Sequence, residues 1–411
     1  MSPATTSSPV AAGERIGVID ALRGFALFGI LVVNMESFRG STVAPGAGVL
    51  DDTATWVIAA AFTTKFYVLF SFLFGYGLTV QMRRAQERGA AFVPRYLRRL
   101  LGLALIGIAH ALLLYVGDIL VTYAVLGVVL LLLRDAPSAR LLRLAVGLVA
   151  LTTALSLAGG LAVTLLGDEF DSGATAEDVA GDEAALAANR GTPAEVVAQR
   201  VREYPGTLGF AVFGQGPTAL AMFLLGLEAG RRRLFERIDD HAGLLRRIRR
   251  VGLVVGGLGG LVWGTSTLVN GFTFNASFLF AAAVDFATAP LLSAVYLTTI
   301  TLAWRSERMR RRLAFLVPVG RLALTNYLLQ SLAGALIFTG YGLGLFGRVG
   351  PAAAFGLSIA IFAAQVPLSA AWLRHFRFGP AEWLLRSFTY AHPQPLRREP
   401  SVSPTATGPG V

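Results

Sequence analysis

The sequence predicts an all-α protein, a polytopic transmembrane helical bundle with about ten spans and both termini in the cytoplasm. Hydrophobic residues make up 54% of the 411 residues, the mean hydropathy is +0.61, and only 15% of the residues are charged. A soluble domain does not need this much apolar surface for its core, so the surplus must face lipid. Apolar runs of membrane-crossing length recur almost from end to end, and one helical bundle therefore explains the length better than several soluble domains.

The apolar runs define the elements in order, each close to the ~20 residues that cross the hydrocarbon core. The predicted spans are 16–37, 60–82, 97–116, 118–134, 141–166, 207–230, 250–270, 277–304, 315–340 and 351–373. They form an N-terminal membrane half, 16–166, and a C-terminal membrane half, 207–390, separated by the segment 167–206. The Ser/Pro/Ala/Thr-rich residues 1–15 and the Pro-rich tail 391–411 are predicted to be disordered, and no cleaved signal peptide is expected.

Arginine positions set the predicted orientation. The net charge is +11, and Lys65 is the only lysine among 36 basic residues. Such a charge could reflect a nucleic-acid partner, but the arginines cluster in alternate short loops between apolar runs, as the positive-inside rule requires. These inside loops are 83–99, 134–143, 231–250 and 305–312. The basic charge therefore indicates a bacterial plasma-membrane protein in a lipid bilayer, with no nucleic-acid partner.

The segment 167–206 carries nine acidic residues and three arginines, so it is predicted to be a polar external loop that permits short helices. The chain has no cysteine, which excludes a thiolate metal site, a disulfide and a cysteine nucleophile. No nucleotide-binding loop or metal-ligand spacing is present, so no metal and no bound cofactor is predicted.

Ionisable and polar residues inside spans are the candidate site residues, because an ionisable side chain costs ~2.5–3.5 kcal/mol at the centre of a span. In the first span, Asp20, Arg23 and Asn34 share one helix face, and Asp20 can pair with Arg23 at i, i+3. In the ninth span, Arg321, Asn326 and Gln330 form a polar face that either lines a cavity or is buried in the bundle.

Lys65 lies near the outer boundary of the second span, where a lysine is expected to extend to the headgroups. His110 is the only histidine inside a predicted span and is the best candidate for proton transfer, because its unperturbed pKa lies near neutrality. A neutral histidine bonded across two helices is the alternative. Gly107 would allow a close helix approach, and Asp118 is expected either to orient His110 or to cap the fourth span.

The predicted topology separates these residues into two groups. Asn34, Lys65, His110 and Asp118 lie in the outer half of the bilayer, whereas Asp20, Arg23, Glu228 and Arg321 lie toward the inner half. This division suits a protein that handles one ligand from the cytoplasm and another from outside, and also suits a transporter. After the last span, residues 380–390 are predicted to form an interfacial helix, with Glu382 favouring its N-terminus.

The chain resembles the YeiB-like family of bacterial membrane proteins, whose C-terminal half is a domain of unknown function. The first matching block is RIGVIDALRGFALFGILVVN from Arg15, followed by HALLLYVGDILVTYAVLG from His110. The second comprises GRLALTNYLLQS from Gly320, TGYGLGLFG from Thr339 and FGPAEWLLRSFTY from Phe378. The resemblance covers most of the chain.

The first-span motif is also similar to that of transmembrane acyltransferases, including heparan-α-glucosaminide N-acetyltransferase and bacterial O-acyltransferases of sugars. This resemblance implies transfer of an acyl group from cytoplasmic acyl-CoA to a small-molecule, lipid or sugar acceptor. In the O-acyltransferases a histidine lies eleven residues beyond the motif arginine, and here that position is Asn34. The resemblance then requires His110 as the base, Asn34 as the group that stabilises charge on the acyl oxygen, and Arg23 with the inner loops as phosphate ligands.

Two alternatives remain open from the sequence. One is a small-molecule transporter or exporter in which the same polar residues line an alternating-access path, although an inverted repeat is not evident. The other is a purely structural role, which the buried charges disfavour because they cost stability. The sequence does not predict an oligomeric state.

Overall fold

The computed structural model describes residues 17–40, 48–167, 176–271, 273 and 275–398. The predicted disordered N-terminus, 1–15, lies outside this range, as do the end of the predicted tail and part of the segment 167–206. The described chain is almost entirely helical. Its α-helices are α1 (Gly17–Arg39), α2 (Val49–Val57), α3 (Lys65–Glu87), α4 (Phe92–Leu113), α5 (Leu120–Leu132), α6 (Ser138–Leu166), α7 (Ala176–Arg190), α8 (Pro193–Gly209), α9 (Gly216–Arg231), α10 (Ile238–Asn270), α11 (Ala276–Ala303), α12 (Glu307–Leu313), α13 (Leu316–Arg321), α14 (Ala323–Phe338), α15 (Pro351–His375) and α16 (Pro380–Tyr390).

Helix length and composition confirm a multi-pass helical membrane protein. Within the described residues, eight helical segments are long and apolar enough to cross a membrane. They are α1, α2–α3, α4, α6, α8–α9, α10, α11 and α15. Two shorter apolar helices, α5 and α14, lie where the fourth and ninth spans were predicted. Leucine and valine side chains cover the outward face of α6 and α10, as expected for helices in contact with lipid.

Two of these segments contain π-helical turns, which occur often at functional sites. One π-helical turn, Ile58–Phe62, continues α2 and precedes α3, and the other, Phe210–Gln215, connects α8 to α9. A third interruption separates α13 from α14 at Leu322, inside the run predicted as one span.

Close backbone contacts at glycine hold the bundle together. A methyl group at Gly320 of α13 would lie 1.8 Å from the Asp20 carbonyl oxygen of α1, and one at Gly24 would lie 2.3 Å from the Leu316 carbonyl oxygen. The pair α3 and α9 packs in the same way, at Gly75 and Gly226. In a membrane, small residues permit this approach and van der Waals packing stabilises it. The contact between α1 and α13 brings the first and ninth predicted spans together.

The predicted inside loops meet at one end of the bundle, here called the basic end. Arg231 donates hydrogen bonds to the backbone carbonyls of Arg134 and Ala136. Arg83 pairs with Glu236 at 2.5 Å, and Arg305 in turn pairs with Asp239 at 2.6 Å. These contacts join the loops after α3, α5, α9 and α11.

Two helices occupy most of the segment predicted as a polar external loop. Thr192 and Glu195 form a capping box that starts α8, with Pro193 in its first turn. From there α8 continues through the second π-helical turn into α9. Arg190 donates to the Phe346 carbonyl at 2.7 Å, so α7 docks at the end of the bundle opposite the basic end.

The first part of the predicted disordered tail is ordered, which corrects that prediction for residues 391–398. The Arg377 N–H donates to the Leu396 carbonyl at 2.8 Å, and the Arg398 N–H donates to the His375 carbonyl at 3.0 Å. Backbone hydrogen bonds to the end of α15 thus hold a stretch whose composition alone favours disorder.

Candidate functional site: an arginine-lined cavity

A cavity of about 410 Å³ opens at the basic end between α1, α3, α4, α14 and α16. On α1 its lining runs from Ile19 to Ile30, which is ~16 Å along a helix axis and so about half the hydrocarbon thickness. Among the described residues, seven arginines and two carboxylates line it. They are Arg23, Arg84, Arg88, Arg95, Arg99, Arg321 and Arg386, with Asp20 and Glu382. The lining therefore carries five more positive than negative charges, which favours a polyanionic ligand.

Both carboxylates already have partners within the protein. Asp20 lies 3.5 Å from the Arg23 guanidinium, the local pair predicted from their spacing. Glu382 accepts hydrogen bonds from the Leu324 N–H at 2.6 Å, the Thr325 N–H at 3.1 Å and the Thr325 hydroxyl at 2.5 Å. Glu382 thus caps the N-terminus of α14 from another helix. Burial raises the pKa of the Glu382 carboxyl, although the hydrogen bonds from Thr325 act in the opposite direction.

Arg99 is a lining arginine with a buried guanidinium nitrogen that the described part of the protein does not satisfy. Its Nε is buried and has no hydrogen-bond partner among the described residues. Arg23 is a like-charged neighbour, while the aromatic rings of Tyr96 and Tyr390 are nearby. A buried guanidinium nitrogen without an acceptor costs stability, and an anion in the cavity would supply that acceptor.

The inner part of the cavity is apolar and aromatic. Leu27, Phe70, Phe74 and Leu103 contribute to it, and two tyrosines, Tyr123 and Tyr327, close its inner end. The cavity therefore has a cationic mouth and an apolar floor, an arrangement that fits a ligand with anionic groups at one end and an apolar arm at the other.

His110 lies directly behind this floor. Its side chain is almost fully buried, and its Nδ1 lies 2.9 Å from an Asp118 carboxylate oxygen. The other Asp118 oxygen accepts from the Val121 N–H at 3.0 Å, so Asp118 both orients His110 and caps α5. The Tyr327 ring packs against the imidazole with 4.8 Å between ring centroids.

Two features of this pair bear on chemistry. A methyl group at Gly107 would lie 2.7 Å from Asp118 Oδ2, which confirms that Gly107 permits the close approach. His110 Nε2 is buried without a hydrogen-bond partner in the part of the chain that the structure describes. A carboxylate on Nδ1 fixes the ring orientation and leaves Nε2 able to take up a proton.

The structure brings together only part of the predicted site. Asp20, Arg23 and Arg321 line the cavity, whereas His110 and Asp118 lie behind its floor. Asn34 is half-buried on α1, one helical turn beyond Ile30. Glu228, which the topology groups with the inner residues, does not line the cavity and pairs with Arg232 at the end of its own helix at 2.7 Å.

Asn326 and Gln330 link helices rather than line the cavity. Asn326 donates to the Ser369 hydroxyl at 2.9 Å, and Gln330 donates to Gln365 at 2.8 Å, both on α15. This polar face is therefore buried in the bundle, which was one of the two alternatives predicted for it. A substrate-binding role for these two residues stays a prediction.

Lys65 corrects the expectation that it extends to the headgroups. Its side chain is fully buried, and Nζ lies 2.5 Å from the Asp285 carboxylate and 3.3 Å from the Ala59 carbonyl. The reason is Asp285 on α11, an acidic residue inside the eighth predicted span that the sequence reasoning missed. In the outer half, Lys65 therefore pairs with Asp285, and His110 pairs separately with Asp118.

Sequence reasoning also missed Tyr327 and the bridging role of Glu382, and it did not single out Arg99 within the inside loop 83–99. Arg95 and Arg99 stand at i, i+4 and so share a face of α4, but the positive-inside rule already explained their charge. Tyr327 lies within the block GRLALTNYLLQS from Gly320, and nothing in its spacing there distinguishes it from a packing residue.

These features define the protein as a multi-pass helical membrane protein with an arginine-lined cavity at one end of its bundle. Residues 229–392 match the model of the family described as "Protein of unknown function (DUF418)". The chain is 36% identical to "Uncharacterized protein YxaH" of Bacillus subtilis, over 96% of this chain and 99% of the relative. It is 29% identical to "Uncharacterized protein YeiB" of Escherichia coli, over 92% of this chain and 96% of the relative.

The chain belongs to the family that includes YxaH and YeiB, which confirms the YeiB-like resemblance. A third relative, described as a 39.9 kDa protein in the amylase 3' region of Bacillus acidopullulyticus, is 28% identical over 94% of this chain and 97% of its own length. No solved structure matches the chain.

Proposed function

We propose that this protein is an acyltransferase of the bacterial plasma membrane that takes an acyl group from cytoplasmic acyl-CoA and passes it to a lipid or sugar acceptor. One observation carries the proposal. The cavity has an excess of five positive charges at its mouth, and its floor separates it from a buried His110–Asp118 pair.

The chemistry of acyl-CoA matches both parts of the cavity. Its phosphate groups lie at one end of a long flexible arm, and the thioester lies at the other end. Arginine binds phosphate through paired N–H donors, so Arg23, Arg99 and Arg321 are the proposed phosphate ligands. The apolar inner part would take the arm and direct the thioester toward the floor.

The orientation follows from charge. The positive-inside rule places the basic end in the cytoplasm, where acyl-CoA is available. The helices α7 and α8 then lie on the outer side.

In the proposed reaction, His110 Nε2 accepts the proton of the acceptor hydroxyl or amine as that atom attacks the thioester carbonyl. The new ester or amide bond forms, the C–S bond breaks, and the proton passes to the departing CoA thiolate. Asp118 holds the imidazole and stabilises its protonated form, as a carboxylate does for histidine in hydrolases. Asn34 is the residue proposed to stabilise the negative charge that develops on the acyl oxygen.

Binding of the donor is tested with CoA and purified full-length protein by titration calorimetry. Arg99→Gln is expected to weaken CoA binding about tenfold or more, because a charge-assisted hydrogen bond contributes ~1.5–3 kcal/mol. Arg308→Gln is the matched control, since Arg308 is exposed on α12 and does not line the cavity. Equal affinity of the two variants, or equal binding of CoA and phosphate-free pantetheine, would contradict the proposed donor site.

Transfer is tested in inverted membrane vesicles with acetyl-CoA labelled in the acetyl group. The label is expected to enter a lipid or glycan fraction, and His110→Ala is expected to abolish this incorporation while His375→Ala, at an exposed histidine, retains it. Unchanged incorporation with His110→Ala would remove His110 from the proposed chemistry.

The buried Lys65–Asp285 pair favours a second candidate, a small-molecule transporter. Lys65 follows an interruption between the π-helical turn and α3, and its ammonium contacts the Ala59 carbonyl within that turn. Interrupted helices with charged groups inside the bilayer are typical of transport sites. Accumulation of an unmodified solute in vesicles, without any labelled product, would support this candidate over acyl transfer.

A further inference from the structure

We infer that Tyr327 is a positioning residue that keeps His110 closed to the arginine-lined cavity until a ligand is bound at the cavity mouth. This inference rests on the proposed function, because it assigns the route between the donor site and the base.

The first observation is the place of Tyr327 between the two sites. Tyr327 lines the cavity, and its ring packs against the His110 imidazole. His110 itself is almost fully buried and does not line the cavity. A ligand in the cavity therefore meets the Tyr327 ring before it reaches the imidazole.

The second observation concerns the neighbouring floor residue, Tyr123. The Tyr123 hydroxyl lies 2.7 Å from the Ser71 hydroxyl and donates to the Tyr67 carbonyl at 3.0 Å, so hydrogen bonds to α3 hold that ring in place. Movement of Tyr123 would break these bonds inside the membrane, where replacement by water is not available. Tyr327 is the residue whose rotation opens the floor toward Nε2.

The third observation connects Tyr327 to the cavity mouth. The helix is interrupted at Leu322, directly after Arg321, whose side chain lines the cavity. Glu382, another lining residue, holds the first N–H groups of α14, and Tyr327 lies within the first turn or so of that helix. A ligand that binds Arg321 beside Glu382 would therefore shift the N-terminal end of α14, which carries Tyr327. Hinge motions often occur at the ends of helices.

The test measures the reactivity of His110 toward diethyl pyrocarbonate, which modifies unprotonated imidazole. Full-length protein in lipid nanodiscs is treated at neutral pH, and peptide mass spectrometry quantifies His110 against the exposed His375 of the same molecule. If the open form is a minor state, His110 in the unsubstituted protein is protected about tenfold or more.

Tyr327→Ala is expected to remove this protection, whereas Tyr327→Phe, which keeps the ring, is expected to retain it. Phe338→Ala is the matched control, because Phe338 is a fully buried ring on the same helix outside the cavity lining. An unchanged His110 rate in folded Tyr327→Ala protein, or an equal increase with Phe338→Ala, would overturn the inference.

A second measurement uses the absence of native cysteine. In Tyr327→Cys, the thiol is expected to react with an anionic methanethiosulfonate reagent, and CoA is expected to slow that reaction. A thiol that does not react would overturn the placement of residue 327 on an accessible floor. If CoA does not slow the reaction of this thiol, the proposed donor site is contradicted. The rates of His110 modification would still decide whether Tyr327 closes the floor.

Discussion

At the residue scale, the charged and polar side chains inside the bundle are held by specific partners on other elements. Lys65 pairs with Asp285, and the His110 imidazole with Asp118. In each case the alternative is an ionisable group in hydrocarbon, which carries a large desolvation penalty. His110 Nε2 and Arg99 Nε are buried without a hydrogen-bond partner among the described residues, and they lie beside the cavity and in its lining, respectively.

The Lys65–Asp285 pair gives a prediction about stability. Lys65→Met leaves the Asp285 carboxylate buried without its counter-charge, so we expect a loss of ~3–5 kcal/mol in the free energy of unfolding. The double variant Lys65→Met/Asp285→Leu is expected to recover most of this loss, because it removes both buried charges. Unfolding in a mixed-detergent titration measures both.

The matched control for this prediction is Glu307→Gln, which breaks an exposed pair with Arg310. We expect about 0–1 kcal/mol for this variant. A Lys65→Met cost no larger than that of the control would show that the buried pair is not structural.

At the element scale, α14 depends on contacts that its own sequence does not supply. It starts after an interruption, its first N–H groups are bonded by Glu382 of α16, and its polar face is bonded to α15. The helix α16, predicted as an interfacial helix, also forms a wall of the cavity through Glu382 and Arg386. Contacts with α15 and α16 therefore help to fix the position of α14.

Glu382 gives a prediction for pH dependence. Burial raises the pKa of its carboxyl above the ordinary value, so the folded protein takes up this proton at a higher pH than the unfolded chain does. Its contribution to stability is therefore fully present below the ordinary pKa and decreases as the pH rises through the raised pKa. Between pH 8 and pH 5, the unsubstituted protein is expected to gain thermal stability relative to Glu382→Gln.

The measurement is the melting temperature of both proteins across that pH interval. The effects of all other titrating groups cancel in the difference between the two proteins, since Gln is similar in shape to Glu and does not ionise. Parallel curves for the two proteins would contradict the assignment of this pH dependence to Glu382.

At the scale of the whole molecule, charge is distributed unequally between the two ends. The arginine-rich loops contact one another at the basic end, where the cavity opens, and the helices α7 and α8 dock at the opposite end. The positive-inside rule and the proposed donor site therefore require the same orientation.

Cysteine reporters in this cysteine-free chain test the orientation. Val49→Cys places a thiol at an exposed position of the end opposite the basic end, and Arg308→Cys places one at the basic end. In intact spheroplasts, a membrane-impermeant maleimide is expected to label position 49 at once and position 308 only after lysis. The reverse pattern would place the cavity mouth outside the cell and would contradict acyl-CoA as the donor.

Hydropathy and spacing were sufficient to predict the helical class, the membrane setting and the long apolar helices, because hydrophobic length and helical period are local properties of the chain. The sequence also indicated the local pairs, Asp20 with Arg23 and His110 near Asp118, and the family. Three features required the folded structure: Lys65 pairs with Asp285, Glu382 caps α14, and arginines of five helices and the loop after α3 converge on one cavity. These contacts depend on which helix faces meet, and the packing of small residues such as Gly24 and Gly320 sets those faces without leaving a signal in hydropathy or charge.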